Sequence, residues 1–335
     1  MGDDSAIEWT DATWSPVVGC SRVSAGCQHC YAEVLAYRLA AMGQAKYQGL
    51  THKVGNETRW TGEVRFVEEA LSLPLRWKRP RRIFVNSMSD LFHEKVADEW
   101  IDRIFAVMAL CPQHVFQVLT KRPERMRAYV TSVIEDRIRF TRWAAVGADV
   151  ARTVNRECEA PPRWPLPNVH LGVSVENQET FDERVELLGR TPAALRFLSM
   201  EPLLEEIDCG NAFDDPPDDS PYGSIGWVIV GGESGPGARP MHPAWARSIR
   251  DQCAAAAVPY FFKQWGEWAP APKRENGPGR MVRAGDVVLT LDGRRAPIRP
   301  DLSCDLEGEG VPMRRVGKKA AGALLDGREW RGFPR

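Results

Sequence analysis

RIFVNSMSD occupies residues 82–90. Ile83, Phe84 and Val85 follow one another without a polar break, and the run then dissolves into Asn86, Ser87, Met88, Ser89 and Asp90. A strand with one wet face alternates polar and apolar residues. A strand covered on both faces reads as a continuous apolar run, which is the mark of a parallel sheet. Five further segments repeat the pattern: HVFQVLTKR (114–122), NVHLGVSVEN (168–177), LRFLSMEP (195–202), GWVIVGGESG (226–235) and PYFFKQWGEW (259–268). A less regular seventh candidate lies within residues 7–18.

Helical patterns separate these runs. CYAEVLAYRLAAMG (30–43), ADEWIDRIFAVMALC (97–111), NQETFDERVELLGR (177–190) and HPAWARSIRDQCAAAA (242–257) carry apolar stripes, and Asn177 stands where an N-cap belongs. Strand and helix alternate at roughly 30-residue spacing, the period of βαβ units. The longer gap at 131–167 contains EAPPRWPLP and reads as a loop insertion; GNAFDDPPDDSPYGS (210–224) reads as an exposed acidic loop. Polar residues collect after each run: Ser87, Ser89 and Asp90; Thr120, Lys121 and Arg122; Ser174, Glu176 and Asn177; Ser199 and Glu201; Glu233 and Ser234; Lys263 and Gln264. In a barrel such residues converge on the C-terminal mouth. The expected fold is therefore α/β, a partial or closed (β/α) barrel over residues 1–270. The expected C-terminal extension, 271–335, comprises a hairpin in MVRAGDVVLTLDGRRA (281–296) and a basic tail from 311, packed on the barrel.

The chain has 335 residues, 43% of them hydrophobic, and a formal net charge of -1. It is not a polyelectrolyte built for nucleic acid as a whole. The start, MGDDSAIEWTDATW, lacks the apolar segment of a secretory signal, and no run of about 18 apolar residues suggests a membrane span. The expected compartment is the cytoplasm, where thiols stay reduced and clustered cysteines serve metals or catalysis.

Three of the eight cysteines, Cys20, Cys27 and Cys30, crowd into WSPVVGCSRVSAGCQHCYAE (14–33). Cys111, Cys158, Cys209, Cys253 and Cys304 are scattered and read as small buried hydrophobes. Two readings of the C-x6-C-x2-C cluster compete. A structural zinc needs a fourth ligand; His29 is too near Cys30 in sequence, which leaves His52 or His93. An iron–sulfur cubane held by three thiolates keeps one iron open for an exchangeable ligand. Gly19 and Gly26 relax the loop for wrapping a cluster.

Three cysteines in one loop ahead of an α/β repeat resemble the radical S-adenosylmethionine superfamily, although the usual spacing there is C-x3-C-x2-C. The chain further resembles a phage-associated branch of that superfamily. The matching start is Trp14, Pro16, Gly19, Cys20, Gly26, Cys27, Cys30, Tyr31, Ala32 and Glu33. The matching blocks are NSMSDLFH, TKRPERM, GVSVEN, EPLL, VIVGGESG with ARPM, FFKQWG and LDGREW. The resemblance implies a barrel of the radical S-adenosylmethionine type and a [4Fe–4S] cluster on Cys20, Cys27 and Cys30. It implies S-adenosylmethionine as cofactor, chelating the open iron, and an external electron donor like flavodoxin or ferredoxin. One electron would then split the sulfonium into methionine and a 5′-deoxyadenosyl radical, which abstracts hydrogen from substrate. Carried onto this chain, the cofactor would meet His29 and Tyr31 near adenine, and Ser87, Ser89 and Asp90 at its amino group. Ser174, Glu176 and Asn177 would face the ribose, the backbone of Gly231, Gly232 and Glu233 the adenine, and Glu201 the same mouth.

Of twelve tryptophans, Trp9, Trp14, Trp60, Trp77, Trp265 and Trp268 lie in loops or near strand ends, interleaved with the basic clusters LRWKRPRR (75–82), TKRPERMR (120–127) and MRRVGKK (313–319). Flat rings and cations suit nucleic acid, with Arg79, Arg81, Arg82, Lys121 and Arg122 as phosphate-binding candidates. Lys121 and Arg122 have a competing role in holding the cofactor's carboxylate. Three function classes follow: a radical enzyme on a nucleic acid or nucleoside, a radical enzyme on a peptide or small metabolite, and a zinc-stabilised nucleic-acid-binding protein without catalysis.

Overall fold

A computed structural model describes residues 5–153, 164–214, 223–272, 279–306 and 310–334. The chain divides into two compact units. One is Met1–Ser174, Arg184–Phe197 and Asp215–Ile225; the other is Val175–Glu183, Leu198–Asp214 and Gly226–Arg335.

The first unit opens with β1 (Ala12–Trp14), β2 (Val17–Val18), the cysteine loop and α1 (Tyr31–Ala41). A hairpin follows, β3 (Thr51–Val54) and β4 (Glu57–Trp60), turning at Gly55 with its φ of 58°. Next come β5 (Arg65–Phe66), antiparallel to β2, then α2 (Glu68–Leu71), β6 (Arg82–Val85), α3 (Asp98–Ala109) and β7 (Val115–Thr120). The described part of the stretch at 131–167, expected as a loop insertion, is instead largely helical. After α4 (Pro123–Glu135) comes α5 (Arg137–Thr153), and β8 (Val169–Ser174) closes the segment. In α5 the buried residues Trp143, Gly147, Val150 and Ala151 fall on one face at helical spacing. Trp164, from the Pro-rich motif, stacks on Phe105 at 5.0 Å and meets Trp143 edge-on at 5.2 Å. The earlier residues of that motif, and most of 210–224, lie outside the described residues.

Register places Thr13 beside Phe84, Phe84 beside Gln117, and Gln117 beside His170, so these four share one face of the sheet. Trp9 plugs that face, edge-on to Phe84 at 4.7 Å, and its carbonyl accepts a hydrogen bond from Gln117 Nε2 at 3.3 Å. Gly172 lets the Phe197 ring approach this strand closely, since a Cβ there would lie 2.6 Å from the ring and force it to shift.

The second unit contains the N-cap of α6 (Gln178–Gly189), the end of β9 (Leu195–Met200), β10 (Trp227–Gly231), α7 (Pro243–Ala255) and β11 (Tyr260–Gln264). A four-stranded antiparallel sheet of β12 (Trp268–Pro270), β13 (Val287–Thr290), β14 (Arg295–Pro297) and β15 (Gly310–Arg315) follows in the order β12-β15-β13-β14, with α8 (Lys318–Ala321) after it. The hairpin expected in 281–296 is β13–β14. The chain then returns to β11. Phe262 N donates to Trp330 O and Gly332 N donates to Tyr260 O, both at 2.9 Å, so the free edge of β11 carries an antiparallel partner.

The main sheet has seven strands in the order β1-β6-β7-β8-β9-β10-β11, and the pairs β1–β6, β6–β7, β7–β8 and β10–β11 are parallel. The six apolar runs and the less regular candidate at 7–18 supply these seven strands. Strand order follows chain order without reversal, as in a barrel and unlike a doubly wound sheet. β1 and β11 stand at the two ends of the order, so the arrangement is compatible with a partial barrel and not with a closed one. No helix among the described residues is long and apolar enough to cross a membrane.

Candidate functional site

The cysteine loop is pinned before it reaches its first thiol. Gly19 adopts a φ of 93°, and a Cβ there would sit 2.2 Å from the carbonyl oxygen of Glu63. Its N–H donates to Met88 O at 3.1 Å, which ties the loop to the segment after β6. Cys27 closes a short 3₁₀ turn over Ala25–Cys27, and Cys30 is the N-cap of α1. Cys20 and Cys30 pack against an apolar cluster that includes Val18, Ala36, Leu50 and Met88. Burial pushes the Cys20 thiol up to about 12, with Asp90, Cys30 and Cys27 adding to the rise and Arg122 opposing it. Burial and then Cys27 raise Cys30 as well. A strongly positive partner is what would make thiolates of Cys20 and Cys30 against this burial.

Two ionic clasps hold this loop. Glu33, buried in the first turn of α1, accepts from Arg22 Nε at 2.9 Å and Nη2 at 2.6 Å, and from Trp60 N at 3.2 Å. Arg122, just beyond β7, donates to Asp90 at 3.1 Å, to Glu94 at 3.0 Å and to the Ser21 hydroxyl at 2.7 Å, and its Nη1 lies 3.9 Å from Cys20 Sγ. Neither pair was legible in sequence: Arg22 and Glu33 are eleven residues apart, in the loop and in α1, and Cys20 and Arg122 follow different strands.

His93 does not behave as a fourth ligand. Its Nδ1 accepts from Lys95 N at 3.1 Å, which assigns the proton to Nε2, and Nε2 faces the Ser21 hydroxyl at 2.9 Å. His52 is an exposed residue of β3, opposite Arg59. Among the described residues no group of three or more His, Cys, Asp or Glu side chains is gathered around a single-ion site.

The expected cofactor residues of this unit take mixed roles. The Tyr31 hydroxyl donates to Ser87 O at 2.8 Å, and the Ser87 and Ser15 hydroxyls lie 3.5 Å apart. A cavity of about 290 Å³ opens beside them, lined among others by Tyr31, Leu35, Ser15, Ser87 and Lys46. Ser89 is spent on Val17 O at 2.8 Å. Asp90 accepts from Thr120 Oγ1 at 2.7 Å, Phe92 N at 3.0 Å and Lys121 N at 3.0 Å besides Arg122, which leaves it an organiser of strand ends. His29 sits half-buried between Cys27 and Cys30. The carbonyl of Ser174 accepts from Arg184 at 2.7 Å.

In the second unit, Glu176 is fully buried, and its carbonyl accepts from Leu204 N at 2.9 Å. Asn177 is the N-cap of α6: its Oδ1 accepts from Thr180 N at 3.1 Å. Glu201 pairs with Lys263 at 3.0 Å. The glycines expected to approach adenine are filled from within the protein. A Cβ on Gly231 would meet Glu201 Oε1 at 2.5 Å, and one on Gly232 would meet Trp265 O at 2.0 Å. Glu233 is buried and committed to Arg239, which donates from Nε at 2.8 Å and Nη2 at 2.6 Å.

A family model matches residues 4–334 of this chain. The chain belongs to the DUF5131 family. The family's description is "Protein of unknown function", so membership assigns no reaction. No curated protein and no solved structure matches the chain.

In this DUF5131 chain the five basic candidates do not form one surface. Arg79 is exposed, Arg81 lies over the Trp77 ring at 5.2 Å, and Arg82 is held by Asp11 at 2.8 Å. These residues sit at the start of β6, where Arg82 registers with Val115. Lys121 and Arg122 follow the other end of β7, roughly 20 Å away at about 3.3 Å per residue. Arg122 is moreover consumed by its carboxylates. Sequence order already put Arg79, Arg81 and Arg82 at the start of one run and Lys121 and Arg122 after the end of another.

Proposed function

We propose that the protein is an iron–sulfur enzyme of the radical S-adenosylmethionine type, with a [4Fe–4S] cluster on Cys20, Cys27 and Cys30 and a nucleoside or nucleic acid as substrate. The observation that carries the reading is the donor set. Cys20, Cys27 and Cys30 share one pinned loop, with Cys27 adding to the raised thiols of the other two, and His93 spends both ring nitrogens on Ser21 and Lys95. When bound, the cluster with S-adenosylmethionine would supply one-electron cleavage and hydrogen abstraction, fed by an external donor of the flavodoxin or ferredoxin kind.

The chain's own residues would do the positioning. Glu33 and Arg22 fix the start of α1, and with it Cys30. Arg122 and Asp90 fix the entry of the loop at Cys20. The 290 Å³ cavity beside Tyr31 supports a nucleoside-sized substrate over a long polymer, with Tyr31 as a flat wall, the Ser15 and Ser87 hydroxyls for polar groups and Lys46 at hand for an anion. A small metabolite would fit the same space, and it is the reading to adopt if nucleosides do not bind. The working compartment in this proposal is the cytoplasm.

Anaerobic reconstitution tests the proposal. The wild-type chain should take up four irons and four sulfides with a broad visible absorption, and Cys20→Ala, Cys27→Ala and Cys30→Ala should each lose it. Purified protein that holds stoichiometric zinc and refuses iron would falsify the reading.

A further inference from the structure

We propose that Arg122 and Asp90 are positioning residues of opposite electrostatic action on the group that Cys20 holds: Arg122 favours its reduced state and Asp90 its oxidised state. The inference rests on the iron–sulfur reading above.

Arg122 has no freedom to serve elsewhere. Its Nε donates to Glu94 Oε2 at 3.0 Å, its Nη1 to Asp90 Oδ2 at 3.1 Å, and its Nη2 to the Ser21 hydroxyl at 2.7 Å and the Ser21 carbonyl at 3.3 Å. The side chain is 11% exposed, and Nη1 stands 3.9 Å from Cys20 Sγ. Asp90 is equally fixed, by Thr120 Oγ1 at 2.7 Å and by the N–H groups of Phe92 and Lys121 at 3.0 Å each. Its side chain is 8% exposed. A permanent cation and a carboxylate are thus locked beside one sulfur, out of reach of most solvent screening.

Reduction adds one electron to the cluster with no bond made or broken and no proton required. A fixed cation stabilises the added charge and a fixed anion opposes it. Glu94 contributes in the sense of Asp90, but its side chain is 62% exposed, so salt should weaken its effect.

The test is a redox titration of the reconstituted wild-type chain and of R122Q, D90N, R122K and E94Q. Dithionite supplies the electron, with mediators present, and visible bleaching is the readout. R122Q should favour the oxidised cluster by on the order of tenfold, a midpoint about 59 mV lower for one electron. D90N should move the midpoint upward by a similar amount. E94Q should move it upward by less, and high salt should erase that shift. R122K keeps the charge and should stay near wild type. Shifts of the same sign in R122Q and D90N would mark mere loosening and overturn the proposal, as would unmoved midpoints. Should D90N fail to fold, E94Q and the R122K–R122Q contrast decide the matter, and equal midpoints for those two arginine variants overturn it. A wild-type chain that assembles no cluster overturns the iron–sulfur reading, and this inference with it. A wild-type cluster with unsplit midpoints overturns this inference alone.

Discussion

Histidine 170 should make the first unit sensitive to mild acid. It sits on β8 beside Gln117, on the face that Trp9 plugs. Its Nδ1 and the Gln117 Oε1 are buried and have no hydrogen-bond partner among the described residues. Burial is the cause that pushes its pKa down from 6.5 to about 4. The unfolded chain binds a proton here below pH 6.5, whereas the folded chain does not until about pH 4. Stability contributed by the neutral ring is thus complete above the unfolded pKa and is lost as pH falls through this window. Each pKa unit is worth about 1.4 kcal/mol, so by pH 5 the loss from this residue should reach ~2 kcal/mol. Urea unfolding of wild type and His170→Asn at pH 7 and pH 5 isolates the effect, because the other histidines act equally in both. Wild type should lose ~2 kcal/mol more than the variant, and an NMR titration of the His170 ring proton should show a midpoint far below the ordinary range. Equal pH losses in the two proteins, or a midpoint near 6.5, would refute the reasoning.

Three further outcomes are expected. Glu33→Ala leaves the Trp60 N–H unpaired and strips the half-buried Arg22 of its buried carboxylate, leaving it only Thr58 O and the exposed Glu57, and should cost about 3 kcal/mol in urea unfolding, with faster loss of iron from reconstituted protein. Gly266→Ala combines a φ of 82° with a Cβ 2.1 Å from the Glu233 carbonyl and should cost about 3 kcal/mol; Gly279→Ala, with a φ of 95° but open space around it, should cost only about 1 kcal/mol. Charge removal at Arg79 and Arg81 together should flatten the salt dependence of oligonucleotide binding by one to two units, at about 0.7–0.9 per contact, while Arg122→Gln should leave it unchanged. The reverse ranking would return the phosphate surface to the cysteine side of the sheet.

The strands were legible because burial on both faces leaves no choice but a continuous apolar run, as in IFV at 83–85 and WVIV at 227–230. Helix α5 was not, since only four of its seventeen residues are buried and arginines interrupt its stripe. The β3–β4 hairpin was missed for a similar reason: only Thr58 and Trp60 of its eight strand residues are buried. Within the candidate site, the cysteines and Asn177 announce themselves by spacing and by position before a helix. Glycine is harder to read. Gly231 and Gly232 look like room left for a ligand, whereas Glu201 and Trp265 fill that room. Charged strand ends mislead in the same way. A lone Asp90 or Arg122 resembles a ligand contact, and only the fold reveals that each neutralises the other.

The return of the chain along β11 has a consequence for synthesis. Arg331 Nη1 donates to Phe262 O across 69 residues of sequence, and Trp330 and Gly332 flank that contact with backbone bonds. At about 5–20 residues per second, roughly 3–14 seconds pass on the ribosome between translation of the strand and translation of its partner. For that interval the nascent chain carries an apolar strand with one side open to pairing with a neighbour on the same message. Slower codons ahead of residue 330 would lengthen the exposure without changing a single amino acid, so the yield of soluble protein should depend on codon choice there.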